Sequence, residues 1–164
     1  MPIEATSWVP DEARLMATGR VTVCHGHLEH ALKLSLKRLL EISLDDPGYH
    51  DKVGKLMAWK LRVRIRDQLL IKFGGGLSPL PPKAQMLDQM LDDAEKLTTD
   101  RNRYTHGNWV ETEAGERIIR DRDPETNELK TSPIPTAEAL NHLGERCAAM
   151  ALAFDGLTNA WLKR

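Results

Sequence analysis

The sequence predicts an all-α fold, an antiparallel helical bundle of about four to five helices with a small β-hairpin insertion before the last helix. Three observations predict it. Apolar residues recur at spacings of three and four through long stretches of the chain. Proline and glycine punctuate those stretches at their starts and ends. Apart from an ambiguous alternating run at Lys60 to Arg66, the period shortens toward two in brief runs between Trp109 and Asp121.

Taken in order, the first helix is expected from near Pro10 to about Leu44. Its inner stripe is Leu28, Leu32, Ser35, Leu39 and Ile42, widened by Leu36 and Leu40. Gly19, Gly26 and Val21-Thr22-Val23 weaken its first half, where a kink or break is expected. Asp45-Asp46-Pro47-Gly48 reads as a turn. From roughly Lys52 to Phe73 two signals compete. Lys60 to Arg66 alternates like a strand, yet Met57, Leu61, Ile65 and Leu69 form an i, i+4 row, and the length favours a helix. Gly74-Gly75-Gly76 ends it as a flexible connector. That triplet is no phosphate loop, because the Lys-Ser/Thr of a P-loop is missing.

The third helix begins after Pro81-Pro82 and ends at His106, with Gly107 just beyond. Leu87, Met90, Leu91, Ala94 and Leu97 form its inner stripe. Residues 108–131 read as a hairpin excursion, with strands around Glu113-Ala114-Gly115-Glu116 and a further turn at Asp123 to Asn127. The last helix, about Thr136 to Lys163, carries a heptad seam of Leu140, Leu143, Cys147, Met150, Phe154, Leu157 and Trp161, with Thr136 as N-cap. That seam suits packing on the first and third helices of its own chain, a homodimer interface, or both.

A single domain spanning residues 1–164 accounts for the length, which suffices for a core without staples. Net charge is −1, so no global positive field marks a nucleic-acid binder. Cys24 and Cys147 read as free thiols of a cytoplasmic, reducing setting. The opening residues lack the pattern of a signal peptide, and no apolar run is long enough for a membrane span.

One position breaks its pattern. Steps of seven from Leu87 lead to Ala94 and then to Arg101, an arginine where an apolar residue is due. Desolvating a guanidinium is costly, so Arg101 should face a carboxylate, an interface or an anion-receiving cleft. His106 lies five residues on, a rotation of about 140° on an ideal helix, so the two Cα–Cβ directions diverge. Only the reach of Arg101, or a local distortion, brings both onto one ligand. Asn102 stands at i, i+4 from His106 and is placed to orient its ring. A histidine at a helix C-terminus, where the dipole favours imidazolium, suits proton transfer near neutral pH. An arginine, a histidine and a polar orienter without a carboxylate cluster fit metal-independent RNA cleavage. There the ribose 2′-hydroxyl is the nucleophile and the arginine stabilises phosphoryl charge.

The segment Arg101-Asn102-Arg103-Tyr104-Thr105-His106, at a helix end, resembles the active-site motif of the HEPN superfamily. The resemblance implies a helical, commonly dimeric protein in which two motifs meet in a composite cleft. It also implies a metal-independent endoribonuclease of defence or stress response acting on single-stranded RNA, with Arg101 and His106 catalytic, Asn102 beside them and no cofactor or metal. Toxin-type members pair with an antitoxin protein that modifies a Tyr two residues after the His; Asn108 stands there in this chain. A second copy of the spacing, Arg20 to His25, has Val21 after the Arg and no helix end.

Arg62 and Arg66, on one face of the most basic element, are candidate RNA contacts, as are Arg103 and Tyr104 within the motif. The alternative for the basic run is a solvated face. Cys24, His27 and His30 share a helix face but have no second ligand cluster, so they read as ordinary helix residues. Asp88, Asp92 and Glu95 read as a solvated face. Two other functions fit the same residues. One is a non-catalytic HEPN-like module that binds RNA or nucleotides. The other is a structural helical dimer or interaction protein, with Arg101 in a salt bridge and His106 capping its helix.

Overall fold

A computed structural model describes residues 5–74, 79–123 and 126–162. Gly75 and Gly76 of the connector, Pro124 and Glu125 of the later turn, and Lys163 lie outside the described residues. Four long helices dominate: α1 (Glu12–Leu40), α2 (Ala58–Phe73), α3 (Pro82–His106) and α4 (Ala137–Leu162). A short π-helical turn, His50–Gly54, precedes α2 and buries Val53.

Asp11 starts α1 by accepting the Arg14 backbone N–H at 2.9 Å. Glu41, in the left-handed region at φ 56°, ends it by returning its N–H to Arg38. The helix is continuous through Gly19 and Gly26, so the expected break is absent. Val21, Leu28, Leu32, Leu36 and Leu39 are all buried on one face, and that packing outweighs two weak helix formers. It stops at Leu40, four residues before the expected end. In α2 the alternation of Lys60 to Arg66 yields to the i, i+4 row: Leu61, Ile65 and Leu69 are fully buried. Pro82 opens α3 and Gly107 closes it, as expected. Thr136 accepts the Ala139 N–H at 3.0 Å and starts α4.

The α4 seam packs within its own chain. Leu140, Leu143, Cys147 and Phe154 are buried against α1 and α3, with Met150, Leu157 and Trp161 at the edges. Ser35 and Thr158, buried where α1 meets α4, turn their hydroxyls to the carbonyls of Ala31 and Phe154, each at 2.8 Å. A core polar pair is thereby satisfied.

The bundle is not the antiparallel one expected. Arg14 donates to the Pro135 carbonyl at one end of α1, and Arg38 bonds Thr158 and Asp155 at the other, so α1 and α4 run the same way. His25 and Arg62 both meet Thr98, and Lys72 meets Glu41, so α2 also runs with α1. Only α3 runs against them. The cause is the connection from residue 41 to 57, which carries the chain back along the bundle before α2 begins.

The hairpin is also larger than expected. It is a four-stranded antiparallel sheet in the order β1 (Ala5–Ser7), β2 (Asn108–Thr112), β3 (Arg117–Arg122), β4 (Leu129–Pro133). Ser7 pairs with Val110, Trp109 with Ile119, and Ile119 with Ser132. The start of the chain thus joins the excursion, which extends to Pro133. Val110, Ile118 and Ile119 are its buried contribution.

Candidate functional site

The sheet abuts the last turn of α3, and glycine allows it. A Cβ on Gly107 would stand 2.3 Å from Ile119 Cγ2 and 2.5 Å from the Arg103 carbonyl oxygen. No side chain fits there. Trp109, two residues on, donates its indole N–H to the Tyr104 carbonyl at 3.1 Å and stacks on Trp8 at 5.8 Å between centroids. The helix end that carries the motif is therefore held by Trp109 of β2 and packs against β3.

Arg101 crosses the angular gap by its own reach. Its Nη1 lies 3.2 Å from His106 Nε2 and donates to Asn102 Oδ1 at 2.9 Å. Asn102 orients the guanidinium; the expected hydrogen bond from Asn102 to the ring is replaced by this one. A guanidinium only donates, so His106 Nε2 is the acceptor and the ring proton sits on Nδ1. Arg101 emerges from the interior, and its Nε is buried with no hydrogen-bond partner among the described residues. Leaving such a donor unmet costs about 1–3 kcal/mol.

His106, Asn102 and Arg103 form one wall of an open groove of about 690 Å³, and Arg122, Lys130 and Ser132 of β3 and β4 stand opposite. Asp121 and Asp123 temper its charge. Lys130 pairs with Asp123, and Arg122 donates to the Asn127 carbonyl at 3.0 Å. These sheet residues escape sequence reasoning. The strand β3 is legible, but which wall it builds depends on pairing across the chain.

Of the remaining candidates, Arg62, Arg66 and Tyr104 are held elsewhere. Arg62 is 6% exposed and bonds Glu95 at 3.3 Å and Thr98 at 3.4 Å. Arg66 bonds Asp88 at 2.7 Å and pairs with Asp92. Asp88, Asp92 and Glu95 are thus the counter-ions of α2 rather than a bare solvated face. The matching i, i+4 rows on the two helices were the available signal. Tyr104 packs against the core, and Arg103 lies 4.0 Å from Asp100. Among the described residues, no group of three His, Cys, Asp or Glu is placed to hold a metal ion, and no helix is long and apolar enough to cross a membrane.

His25, of the second Arg-to-His spacing, is buried beneath the site. Its Nε2 lies 3.1 Å from Thr98 Oγ1. Thr98 already donates its hydroxyl proton to the Ala94 carbonyl at 2.8 Å, so His25 Nε2 carries a proton and donates. Burial holds the imidazole below the usual histidine range; Arg101 and Arg62 add to this, and Glu29 opposes it.

No protein-family model, curated protein or solved structure matches the chain.

Proposed function

We propose that the protein is a metal-independent endoribonuclease of HEPN type, with His106 as the proton-transferring group and Arg101 as the phosphate-stabilising one. The observation that carries this is the contact between Arg101 Nη1 and His106 Nε2 at 3.2 Å, with His106 itself lining a groove that has cations in both walls. Nothing in that contact requires a second copy: the reach of Arg101 removes the angular reason for a composite site. A single RNA strand lies in the groove with a phosphate on Arg101. The phosphate draws the guanidinium from the ring and frees the Nε2 lone pair. His106 then takes the 2′-hydroxyl proton as the 2′-oxygen bonds to phosphorus. The 5′-oxygen leaves with a proton from solvent, and a 2′,3′-cyclic phosphate remains. Arg101 stabilises the charge on the non-bridging oxygens, and Asn102 keeps it aimed.

The test is incubation of the protein with single-stranded RNA in EDTA, beside His106→Ala and Arg101→Ala. Cyclic-phosphate ends that vanish in both variants support the reading. RNA binding without cleavage replaces it by a binding module. Neither binding nor cleavage removes both.

A further inference from the structure

The helices α1 and α4 run side by side in one direction, and two of their contacts share an offset. Gly144 sits against the backbone of Val21: a Cβ there would stand 3.6 Å from the Val21 nitrogen and 3.7 Å from its Cα. Further along, Ser35 Oγ and Thr158 Oγ1 meet at 3.4 Å. The members of each pair are 123 residues apart. Two helices that run together with the same rise per residue keep such an offset between their contacts. Cys24 and Cys147 have that same separation, and they fall between the two contacts. The two cysteines therefore stand at one level of the bundle.

They also face each other. Cys24 precedes Ser35, and Cys147 precedes Thr158, by eleven residues in each case. Eleven residues of α-helix are three turns and only about 20° of rotation, so each cysteine lies in line with a hydroxyl that meets its counterpart. Cys147 is fully buried, and Cys24 is half-buried at the edge of the same core. Each is a free thiol. The two are near enough to influence one another: burial does most to raise Cys147, and Cys24 adds to it. A disulfide needs Cα atoms about 4.4–6.8 Å apart. The backbones of α1 and α4 touch at Val21 and Gly144, one turn from the cysteines, which brings the helices close enough for such a bridge.

We infer that Cys24 and Cys147 form an oxidation site, which a peroxide closes into a disulfide joining α1 to α4 within one chain. Cys24, the member with access to solvent, gives up its proton, and its sulfur attacks one peroxide oxygen. The O–O bond breaks, hydroxide leaves, and Cys24 becomes a sulfenic acid. The Cys147 sulfur then attacks the Cys24 sulfur from inside the core. The S–S bond forms, the S–O bond breaks, and the oxygen departs as water with the Cys147 proton. Two electrons pass from the two thiols to one peroxide, which ends as two waters. Burial gives the order of events, because it keeps Cys147 from meeting the oxidant first. Neither cysteine lines the His106 groove, so the bridge stands whether or not that groove cleaves RNA.

The test uses the full chain, reduced, freed of reductant and treated while folded with a small excess of hydrogen peroxide. The protein is then unfolded, its remaining thiols are blocked with N-ethylmaleimide, and the digest is read by mass spectrometry. The expected product is a linked pair of peptides holding Cys24 and Cys147, lighter by two hydrogens than the separate peptides. The melting temperature should rise by about 5 °C or more, because the bridge closes a long loop, and dithiothreitol should reverse the rise. Cys24→Ser should leave Cys147 reduced and the melting temperature unmoved by peroxide. Cys147→Ala should stop Cys24 at its sulfenic or sulfinic acid, with no gain in melting temperature. The wild-type digest decides alone if that buried substitution costs the fold. A folded wild type in which Cys24 advances to the sulfinic acid while Cys147 stays free overturns the proposal. So does a Cys24 bridge between two copies of the chain, or a Cys24–Cys147 bridge that forms only in denaturant.

Discussion

Arg62 and Arg101 occupy comparable stations on neighbouring helices and are treated in opposite ways. Arg62 is nearly sealed from solvent, and each end of its fork has a partner, Glu95 on one side and Thr98 on the other. Arg101 is half-buried, meets no carboxylate and leaves its Nε unmet among the described residues, and directs Nη1 to an exposed histidine. The first arrangement stabilises the α2–α3 contact. The second keeps a cation in a state that an incoming anion would improve, as the proposed function asks of it.

The largest expected effect breaks the comparison at its functional end. Arg101→Lys keeps the charge but loses the fork, and cleavage is expected to fall by about a hundredfold or more with little change in melting temperature. Equal loss of stability and activity would instead make Arg101 a second Arg62. Next comes Gly107→Ala. Its Cβ has no room beside Ile119 and the Arg103 carbonyl, so the sheet or the helix end must shift. Chemical denaturation should show a loss of about 1–3 kcal/mol, with activity reduced as well. Arg62→Met should show the converse of Arg101→Lys: a loss of about 2 kcal/mol in stability, with cleavage by the folded protein retained.

A smaller effect tests the buried histidine that lies between the two arginines. The folded state holds His25 below the usual histidine range, so the unfolded chain binds more protons than the folded one across the interval beneath that range. Its contribution to stability is fully present above the unfolded value near pH 6.5 and is lost as the pH falls through the folded value. Thermal melts from pH 7.5 to pH 5 should record this loss, and His25→Gln should flatten it; a profile unchanged by the substitution would remove His25 from the account. The smallest effect concerns thiols. Burial raises Cys147 to about 11, so a thiol reagent at neutral pH should leave it unmodified until the protein is unfolded.

Much of this was legible in the sequence, for identifiable reasons. The bounds of α3 follow from Pro82 and Gly107, and α4 follows from a seam without interruption. The inward station of Arg101 follows from counting in sevens. Its contact with His106 does not, because helical geometry sets Cα–Cβ directions and leaves the end of a long side chain free. The sheet was legible only in part. Strands β1 and β4 are short, exposed and without apolar alternation, so each is a strand only because a neighbour pairs with it. The shared direction of α1 and α2 was hidden in the returning segment between them. The partners of Arg62 and Arg66 were visible as two rows of opposite charge, but nothing in either row names the other.

The stacked pair of Trp8 and Trp109 has a use beyond holding the sheet to the helix. Both indoles sit behind the motif, and one is bonded to the carbonyl of Tyr104, two residues before His106. A ligand that straightens or loosens the last turn of α3 must alter that bond and the stack with it. The proposed function thus predicts an optical gauge: if RNA binding moves that turn, tryptophan emission should change in the protein and change less in Trp109→Phe, without any attached dye.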